Sequence, residues 1–384
     1  MPTPEPTPTL TPTTAPRSTP TTRPRTTPAT EPLTSPMHAI RLHAFGPAEN
    51  LVYEETARPE PAPGQVRVAV AAAGVHLLDA AIREGMQGPL PELPSLPTIP
   101  GREVAGTVEA LGEGVDSSWL GKRVVAHIGF ALETPLGSPN TGGGYAEQAV
   151  TEASRLHELP ADLDFPEAVA LIGTGRTTMG ILRFAEPDAG SVVVVPAAAG
   201  GIGTLLTQYA KHRGATVIGL AGGPEKTARV RANGADLAVD YTNPAWPDDV
   251  RAYLKEELDG RSATIVYDGV GGDAGRAAVD LLGPGGVHLV FGWSGEGLRD
   301  GEPLKFTEEE LAARGITQVD VLGPAMMRKT GGDNPLRTLE LAALAEAATG
   351  HFTPAVQRYP LAEAAAAHRA LESRGTMGKV VLIP

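Results

Sequence analysis

The sequence contains no cysteine among its 384 residues. This absence excludes disulfides, iron–sulfur clusters, thiolate zinc sites and cysteine nucleophiles together. Basic residues are also scarce, because 32 lysines and arginines stand against 45 aspartates and glutamates and give a formal net charge of −13. A surface of that sign repels phosphate backbones, so nucleic acid is not an expected partner.

Long apolar runs are missing as well, since no segment approaches the roughly 20 apolar residues that a membrane span requires. Hydrophobic residues still make up 41% of the chain, which is enough for packed cores. The length exceeds what one ordinary core supports, so two domains are expected. These features predict a globular, cytoplasmic protein without a membrane partner.

Residues 1–36 differ from the rest of the chain. They hold 11 prolines and 13 threonines and almost no large apolar side chains. Such a segment cannot bury enough surface to offset its ordering entropy, and it lacks the apolar core of a signal peptide. We expect a disordered tail, with a Thr-rich glycosylated stalk as the alternative. Periodic sequence begins at Met37, which is therefore an alternative start of translation.

The clearest motif lies in the segment SVVVVPAAAGGIGTLLTQYAK, residues 191–211. A run of four valines predicts a strand buried on both faces, and the apolar residues after the glycines recur at helical spacing. Between them, Ala198, Gly200 and Gly203 follow a variant of the dinucleotide fingerprint. Gly200 lets the backbone approach a pyrophosphate, Gly203 lets the helix pack on the strand, and the helix N-terminus offers free N–H groups to phosphates. The alternative is a small-residue turn in another kind of α/β protein.

The sequence that follows alternates between strand and helix patterns. Further strands are predicted at residues 216–220, 237–240, 263–267 and 286–291, and helices at 224–233, 248–258 and 273–282. This alternation predicts a parallel, doubly wound sheet and weakens the alternative.

The end of the second strand bears on the choice of cofactor. NAD-binding folds place a carboxylate there to hold the ribose 2′-OH, whereas this chain reads GLAGG at 219–223. Lys226 follows one helical turn later, with Arg229 and Arg231 beyond it. The missing acid and the nearby lysine favour NADPH over NADH, although the three basic residues could instead form a solvated helix face.

The order of motifs resembles the medium-chain dehydrogenase/reductase superfamily, and within it the zinc-free quinone oxidoreductases related to zeta-crystallin. The matching pieces cover nearly all of residues 37–384 and are AAAGVHLLDAAIREG (71–85), PGREVAGTVEALGEGV (100–115), GKRVVA (121–126), GGGYAEQAV (142–150), PAAAGGIG (196–203), GADLAVDYT (234–242), VYDGVGG (266–272) and HRALESRGTMGKVVLIP (368–384).

The resemblance implies an α/β fold in which a Rossmann doubly wound parallel sheet is inserted in a GroES-like, mainly β catalytic domain. The expected division is a tail at 1–36, a first catalytic part at 37–160, a Rossmann NADPH-binding domain at 161–304 and a second catalytic part at 305–384. The loops at 90–100 and 130–141 are expected to line the cleft between the domains.

The superfamily's alcohol dehydrogenases hold a catalytic zinc, and the matching positions here are His76, Arg102 and Thr174. Arginine cannot lose its proton in a protein, and one histidine alone does not hold zinc. No metal is therefore expected. Three departures from the quinone oxidoreductase pattern, His76 for Asn, Ala81 for Tyr and Arg176 for Leu, leave the substrate open.

Zinc-free hydride transfer needs a group that stabilises the negative charge developing on the acceptor. His76 is the first candidate donor, with a packed or surface histidine as the alternative. Arg102 is a candidate oxyanion stabiliser, or else the partner of Glu103 in a structural ion pair. Asp79 is expected to brace its loop. Thr177 is a candidate on the nicotinamide side by resemblance only.

Together with the glycine motif, the resemblance implies a set of cofactor contacts. They are Thr177, Ala198, Gly200, Gly201, Ile202, Gly203, Gly222, Lys226, Tyr241, Phe291, Ser294 and Lys379.

The implied function is an NADPH-dependent reductase that transfers a hydride to a quinone or another conjugated carbonyl without zinc. One alternative is an enoyl reductase acting on activated alkenes or enoyl thioesters. Another is a non-catalytic structural or RNA-binding protein like some zeta-crystallin relatives. The expected partners are a small-molecule substrate and a second copy of the chain in a homodimer. The resemblance implies that two Rossmann sheets pair edge to edge, with the apolar strand predicted at 286–291 as the edge.

Overall fold

The computed structural model describes residues 36–87, 92–129, 143–297 and 301–384. The predicted tail therefore lies outside the described residues, except for Pro36, where the first strand begins. The expected cleft loop at 130–141 and the first two residues of the one at 90–100 also lie outside them.

Fifteen strands lie within the described residues. The strands are β1 Pro36–Leu42, β2 Leu51–Ala57, β3 Gln65–Gly74, β4 Glu103–Leu111, β5 Arg123–His127, β6 Gln148–Glu152, β7 His157–Glu158, β8 Val192–Val195, β9 Thr216–Ala221, β10 Leu237–Asp240, β11 Ala263–Asp268, β12 Leu282–Val290, β13 Thr317–Asp320, β14 Val356–Pro360 and β15 Lys379–Ile383.

Helices cover the sheets and connect the strands. The α-helices are α1 Leu77–Arg83, α2 Phe165–Ala170, α3 Arg176–Leu182, α4 Gly201–His212, α5 Pro224–Ala232, α6 Trp246–Glu256, α7 Gly272–Val279, α8 Glu308–Arg314, α9 Pro324–Thr330, α10 Pro335–Ala348 and α11 Ala364–Glu372. A π-helical turn, Leu171–Gly175, joins α2 to α3. Within the described ranges, no helix is both long and apolar enough to cross a membrane.

The central part of the chain forms a six-stranded parallel sheet in the order β10-β9-β8-β11-β12-β13. The middle strand, Val192–Val195, is fully buried because helices pack against both faces of the sheet. This arrangement confirms the predicted doubly wound sheet. The order in which strands are added to the sheet reverses between β8 and β11, and ligands bind at such a switch point beyond the carboxyl ends of the strands.

The predicted element boundaries hold to within a residue or two at β8, β9, β10 and β11. The strand predicted at 286–291 starts earlier, at Leu282, and α7 ends at Val279, because Leu282 already pairs with Ala263 across an irregular register. The homodimer prediction placed that strand at the edge of the sheet. It is not an edge strand, since β13 pairs with it.

β13 itself was not predicted, because its four residues are only partly buried and show no apolar run. Its place in the parallel sheet corrects the predicted boundary at residue 304. The nucleotide-binding unit extends at least to Asp320.

The remaining strands build the mainly β domain from both ends of the chain. Six of them follow the order β14-β15-β3-β4-β5-β7, with β6 paired to β3 and β1 paired to β2 beside them. The C-terminal strand β15 pairs antiparallel with β3, which closes the domain around the inserted sheet. This is the split GroES-like organisation that the resemblance implied. A backbone bridge between Gly200 and Gly378 brings the two domains together beside the glycine-rich turn.

Candidate cofactor cavity and active site

The glycine-rich turn exposes the N-terminus of α4. Gly200 caps the helix without a side-chain hydrogen bond, and the first i to i+4 bond runs from the Thr204 N–H to the Gly200 carbonyl. The N–H groups of Gly201, Ile202 and Gly203 therefore have no partner within the helix. Three aligned donors at the positive end of a 12-residue helix are an arrangement that suits a phosphate.

The two fingerprint glycines serve different purposes. A Cβ on Gly203 would lie 2.4 Å from the Ala197 carbonyl oxygen and 2.7 Å from the Ala198 Cα, so this glycine is required for packing. A Cβ on Gly200 would approach only the Ala197 oxygen, at 3.3 Å, and otherwise faces open space. Gly200 therefore leaves room for a ligand. Ala197 itself holds a left-handed conformation, with φ of 53°.

One cavity at the switch point gathers five of the predicted cofactor contacts. They are Gly200, Gly222, Lys226, Tyr241 and Ser294. The opposite wall comes from the mainly β domain and consists of Leu77, Leu371, Glu372, Arg374 and Thr376. The cavity therefore lies between the two domains, where the strand order and the resemblance both place a dinucleotide.

Arg374 is a cavity residue that the sequence reasoning missed. Lys226 Nζ donates to its backbone carbonyl at 2.5 Å, and its guanidinium donates to the carbonyl oxygen of Gly295. Its backbone is left-handed, with φ of 58°, in the turn after α11. The available signal was its position in the matched segment HRALESRG. Lys226, Arg374 and the Tyr241 phenol thus surround one end of the cavity.

The carboxylate of Asp240 lies near the same end of β9. Its Oδ1 accepts from the Gly223 N–H at 2.9 Å and from the N–H and hydroxyl of Thr242 at 3.0 and 2.7 Å. These hydrogen bonds, that of Gly223 first, lower the pKa of the carboxyl. The charge is directed at its own turn, while Ala221 and Gly222, which line the cavity, carry none.

The other predicted contacts lie outside this cavity. The Thr177 hydroxyl donates to the Gly173 carbonyl at 2.8 Å, one turn back in the helix. The Phe291 ring packs over Gly269. The Lys379 main chain passes beside Gly201, but its side chain turns into the protein and is 5% exposed. The structure therefore does not place the Lys379 ammonium among the cofactor contacts.

The Lys379 side chain enters a buried cluster with His76 and Glu103. Its Nζ lies 2.7 Å from His76 Nε2 and 3.0 Å from Glu103 Oε2, and those two atoms are 2.7 Å apart. Glu103 is fully buried, whereas 23% of the His76 side chain is exposed. Burial would raise the pKa of Glu103, but His76 and Lys379 outweigh it and hold the pKa well below its usual range. Burial lowers the pKa of both His76 and Lys379.

Arg102 pairs with a different carboxylate from the one predicted. Its Nε donates to Asp79 Oδ1 at 2.9 Å, and Asp79 rather than the adjacent Glu103 is its ion-pair partner. Asp79 Oδ2 also accepts from the His76 N–H at 2.8 Å and from the Tyr145 hydroxyl at 3.1 Å. Asp79 therefore braces the start of α1. The Tyr145 oxygen also lies 3.2 Å from Nε2 of the buried His368.

The three positions that match zinc ligands do not form a metal site. His76 Nε2 faces the Lys379 ammonium, Arg102 is held by Asp79, and Thr174 is buried beside Gly201. The cation of Lys379 stands where His76 and Glu103 could otherwise share a metal. Among the described residues, no three histidine, aspartate or glutamate side chains are grouped as metal ligands. The residues present therefore do not fit zinc.

Comparison with known proteins agrees with this architecture. The zinc-binding dehydrogenase family profile matches residues 201–330, and the alcohol dehydrogenase GroES-like domain profile matches residues 62–161. A quinone oxidoreductase of Pseudomonas aeruginosa is 33% identical over 352 residues, which cover 90% of this chain and 99% of that protein. A 2-haloacrylate reductase of a Burkholderia species is 31% identical and covers 89% of this chain and 98% of its own length.

A solved structure shows the same fold. The crystal structure of Escherichia coli quinone oxidoreductase complexed with NADPH is 29% identical, with a TM-score of 0.73 over 90% of this chain and all of that chain. The fold, the two matched profiles and these relatives show that the chain is an oxidoreductase of the medium-chain dehydrogenase/reductase superfamily. The chain belongs to the quinone oxidoreductase branch of that superfamily.

Proposed function

We propose that this oxidoreductase is an NADPH-dependent, zinc-independent reductase that transfers a hydride to a quinone or another conjugated carbonyl acceptor. The observation that carries the proposal is the convergence of Lys226, Arg374 and Tyr241 on the cavity that begins at Gly200. A phosphate-binding turn at one end and two cations at the other match a dinucleotide with an additional phosphate.

The choice of NADPH rests on charge at the end of β9. Ala221 and Gly222 present no carboxylate to hold a ribose 2′-OH or to repel a 2′-phosphate. Lys226 and Arg374 supply positive charge, and their present contacts are with main-chain carbonyls rather than carboxylates. A 2′-phosphate can therefore replace those neutral acceptors with a charge-assisted bond. The Escherichia coli quinone oxidoreductase, which was crystallised with NADPH, supports this assignment.

The bound nicotinamide would supply the hydride, and the protein's own task is to bind, orient and shield the reactants. The N-terminus of α4 fixes the pyrophosphate, and the two walls of the cavity hold the cofactor between the domains. A quinone or enone delocalises the negative charge that hydride addition creates. Such an acceptor needs less electrostatic stabilisation than a simple ketone, and no metal is required.

The zinc-independent part of the proposal is supported by the cluster around Lys379. An ammonium group lies within 3.0 Å of both potential ligand atoms, His76 Nε2 and Glu103 Oε2. A divalent cation in the same place would meet strong repulsion. The absence of cysteine removes the thiolate ligands that the superfamily's zinc enzymes use.

A second candidate acceptor class is an activated alkene, including enoyl thioesters. The 2-haloacrylate reductase of a Burkholderia species matches this chain about as well as the quinone oxidoreductases do. Addition of a hydride to the β-carbon of such an alkene places the negative charge on a carbonyl oxygen, as in an enone. The same cavity could therefore serve both acceptors.

The test is a panel of acceptors with the purified full chain. NADPH oxidation would be followed with quinones, cyclic enones, 2-haloacrylates and enoyl thioesters at equal concentrations. The proposal expects turnover with quinones or enones. Turnover restricted to enoyl thioesters would move the assignment to the alternative, and no NADPH oxidation with any acceptor would contradict both.

A further inference from the structure

We propose that the buried Arg83 neutralises Glu372 in the wall of the cofactor cavity and thereby preserves a preference for NADPH over NADH. This inference rests on the proposed function and adds to it a residue that acts from behind the cavity. Arg83 is not among the described residues that line the cavity. It is a positioning residue, because it acts on the dinucleotide only through Glu372.

Glu372 brings a carboxylate to a part of the cavity wall that is otherwise cationic. It is the last residue of α11, stands two positions before Arg374, and is the one acidic side chain among the described residues that line the cavity. A negative charge is unfavourable at the C-terminal end of a helix, which already carries a partial negative charge. The same charge would repel a 2′-phosphate beside Arg374 and Lys226. Glu372 therefore requires a compensating cation.

Arg83, at the end of α1, supplies that cation. Its Nη2 donates to Oε1 of Glu372, and also to Oε1 of Glu84 at 2.6 Å. The Arg83 side chain is 1% exposed, whereas the Glu372 side chain is 26% exposed. The ion pair thus joins an enclosed guanidinium to a residue at the cavity wall. Because solvent screens a buried pair much less than an exposed one, Arg83 holds the Glu372 carboxylate against α1.

The turn after α11 depends on the same contact. The N–H groups of Arg374 and Gly375 bond back to carbonyls in the last turn of α11, at 3.1 and 2.8 Å. In this type of helix end, glycine usually takes the left-handed position, but here Arg374 occupies it with φ of 58°. A residue with a side chain keeps such a conformation where its surroundings fix it. The bond from Arg83 to Glu372 fixes the helix end, and Lys226 fixes the Arg374 carbonyl.

Loss of the Arg83 charge should therefore act at the end of the cavity where the 2′-phosphate is proposed to bind. A Glu372 carboxylate without its partner would repel that phosphate and compete with it for Arg374 and Lys226. NADH carries no 2′-phosphate and would be affected much less. The expected sign of this role is a loss of cofactor preference rather than a general loss of binding.

The experiment measures the dissociation constants of NADPH and NADH for variants of the ion pair in the full chain. We expect Arg83→Met to raise the dissociation constant of NADPH about tenfold, which is the effect of one added negative charge near a phosphate at an effective dielectric constant of about 20. The constant for NADH should change by less than about threefold. Fluorescence titration at one low ionic strength measures both, since salt screens the repulsion.

Two double variants separate the charge of Glu372 from damage to the fold. Arg83→Met/Glu372→Gln removes the cavity carboxylate together with its partner, so NADPH should bind within about threefold of the wild type. Arg83→Met/Glu84→Gln removes the same charges in total but leaves Glu372 ionised, and it should keep the tenfold loss. Glu84 is the matched control because it accepts from the same nitrogen and is not among the described residues that line the cavity. The two double variants can be compared with each other even if the single variant does not fold.

Equal NADPH affinity of the two double variants, or an equal loss of NADPH and NADH in Arg83→Met, would overturn the inference and leave the proposed function intact. If the wild-type protein preferred NADH, the cofactor assignment in the proposed function would fail, and the inference with it. The melting temperature of each variant shows whether it is folded at the temperature of the titration.

Discussion

Lys226 Nζ lies 2.5 Å from the backbone carbonyl oxygen of Arg374, and this contact joins the nucleotide-binding sheet to the C-terminal segment across the cofactor cavity. The Arg374 guanidinium donates a hydrogen bond to the carbonyl oxygen of Gly295. Two cations that belong to different domains are thereby held beside the same opening. In the proposed function, this arrangement holds positive charge where the 2′-phosphate of NADPH would bind.

Removal of the Lys226 side chain should weaken the binding of NADPH but not that of NADH. A charge-assisted hydrogen bond to a phosphate contributes roughly 1.5–3 kcal/mol, which is about ten- to a hundredfold in affinity. Lys226→Ala should raise the NADPH dissociation constant by about that factor and leave NADH nearly unchanged. Fluorescence titration of both cofactors at one ionic strength measures this, since salt screens the interaction.

Lys255→Ala removes a charge of the same kind from the exposed face of α6 and serves as the control for that titration. An equal loss of affinity for NADPH and NADH in Lys226→Ala would show that Lys226 does not contact the 2′-phosphate.

The two fingerprint glycines should respond differently to alanine. Gly203→Ala places a methyl group 2.4 Å from a main-chain carbonyl, so it should lower the melting temperature by several degrees. In Gly200→Ala the added methyl group meets only one atom, at 3.3 Å, so the melting temperature should not change. Because the methyl group enters the cavity, this variant should bind both cofactors more weakly. Thermal unfolding and cofactor titration of the two variants test these expectations. Unchanged cofactor affinity in Gly200→Ala would mean that the dinucleotide does not pass over this turn.

Acid should destabilise the fold partly through His368. Burial lowers the pKa of this histidine from 6.5 to about 4, so between those values the unfolded chain binds a proton that the folded chain does not. Stability is therefore full above the unfolded pKa and falls as the pH falls toward 4. A shift of that size corresponds to roughly 3 kcal/mol.

His368→Gln should flatten this dependence in urea unfolding measured at several pH values, since glutamine can still bond to Tyr145 but does not titrate. The buried His127, whose pKa is also held well below its ordinary value, adds to the slope in the same direction, so the dependence should shrink rather than vanish. Equal slopes in the variant and the wild type would contradict the prediction.

A homodimer remains our prediction, but its proposed contact moves to β13. The strand first considered, at 286–291, is covered by Thr317–Asp320, which ends the sheet in the described part of the chain. An edge strand presents unpaired N–H and C=O groups that a second copy can satisfy. Light scattering should give twice the 39.7 kDa of the chain at micromolar concentration. A mass of one chain throughout that range would refute the dimer.

The sequence predicts the nucleotide-binding sheet well because its strands are continuous apolar runs. Val192–Val195 and Leu237–Asp240 match the structure residue for residue. β13 was missed because a short, half-exposed strand has no such run. The split domain could be expected only from the resemblance, since β15 pairs with β3 across some 300 residues of chain and no local pattern encodes that contact.

The site residues also divide into those that a local sequence pattern predicts and those that depend on contacts between distant segments. Gly200, Gly222 and Lys226, which the fingerprint and the missing carboxylate singled out, line one cavity, and their role as cofactor contacts stays a prediction. Arg374 was missed because it belongs to a segment that is distant along the chain. Lys379 was expected as a cofactor contact from the resemblance, but in the structure it is its neighbour Gly378 that bridges to the glycine-rich turn. Its side chain instead neutralises Glu103, a pairing between residues 276 positions apart that spacing cannot reveal.

The central claim is that the protein reduces a conjugated carbonyl with NADPH and without zinc. The most direct measurement is quinone reduction by chelator-treated protein of known metal content, with NADPH and NADH compared under the same conditions. We predict undiminished activity without stoichiometric zinc, and a kcat/KM for NADPH at least about tenfold above that for NADH. Activity that disappears on chelation and returns with zinc, or a preference for NADH, would contradict the account.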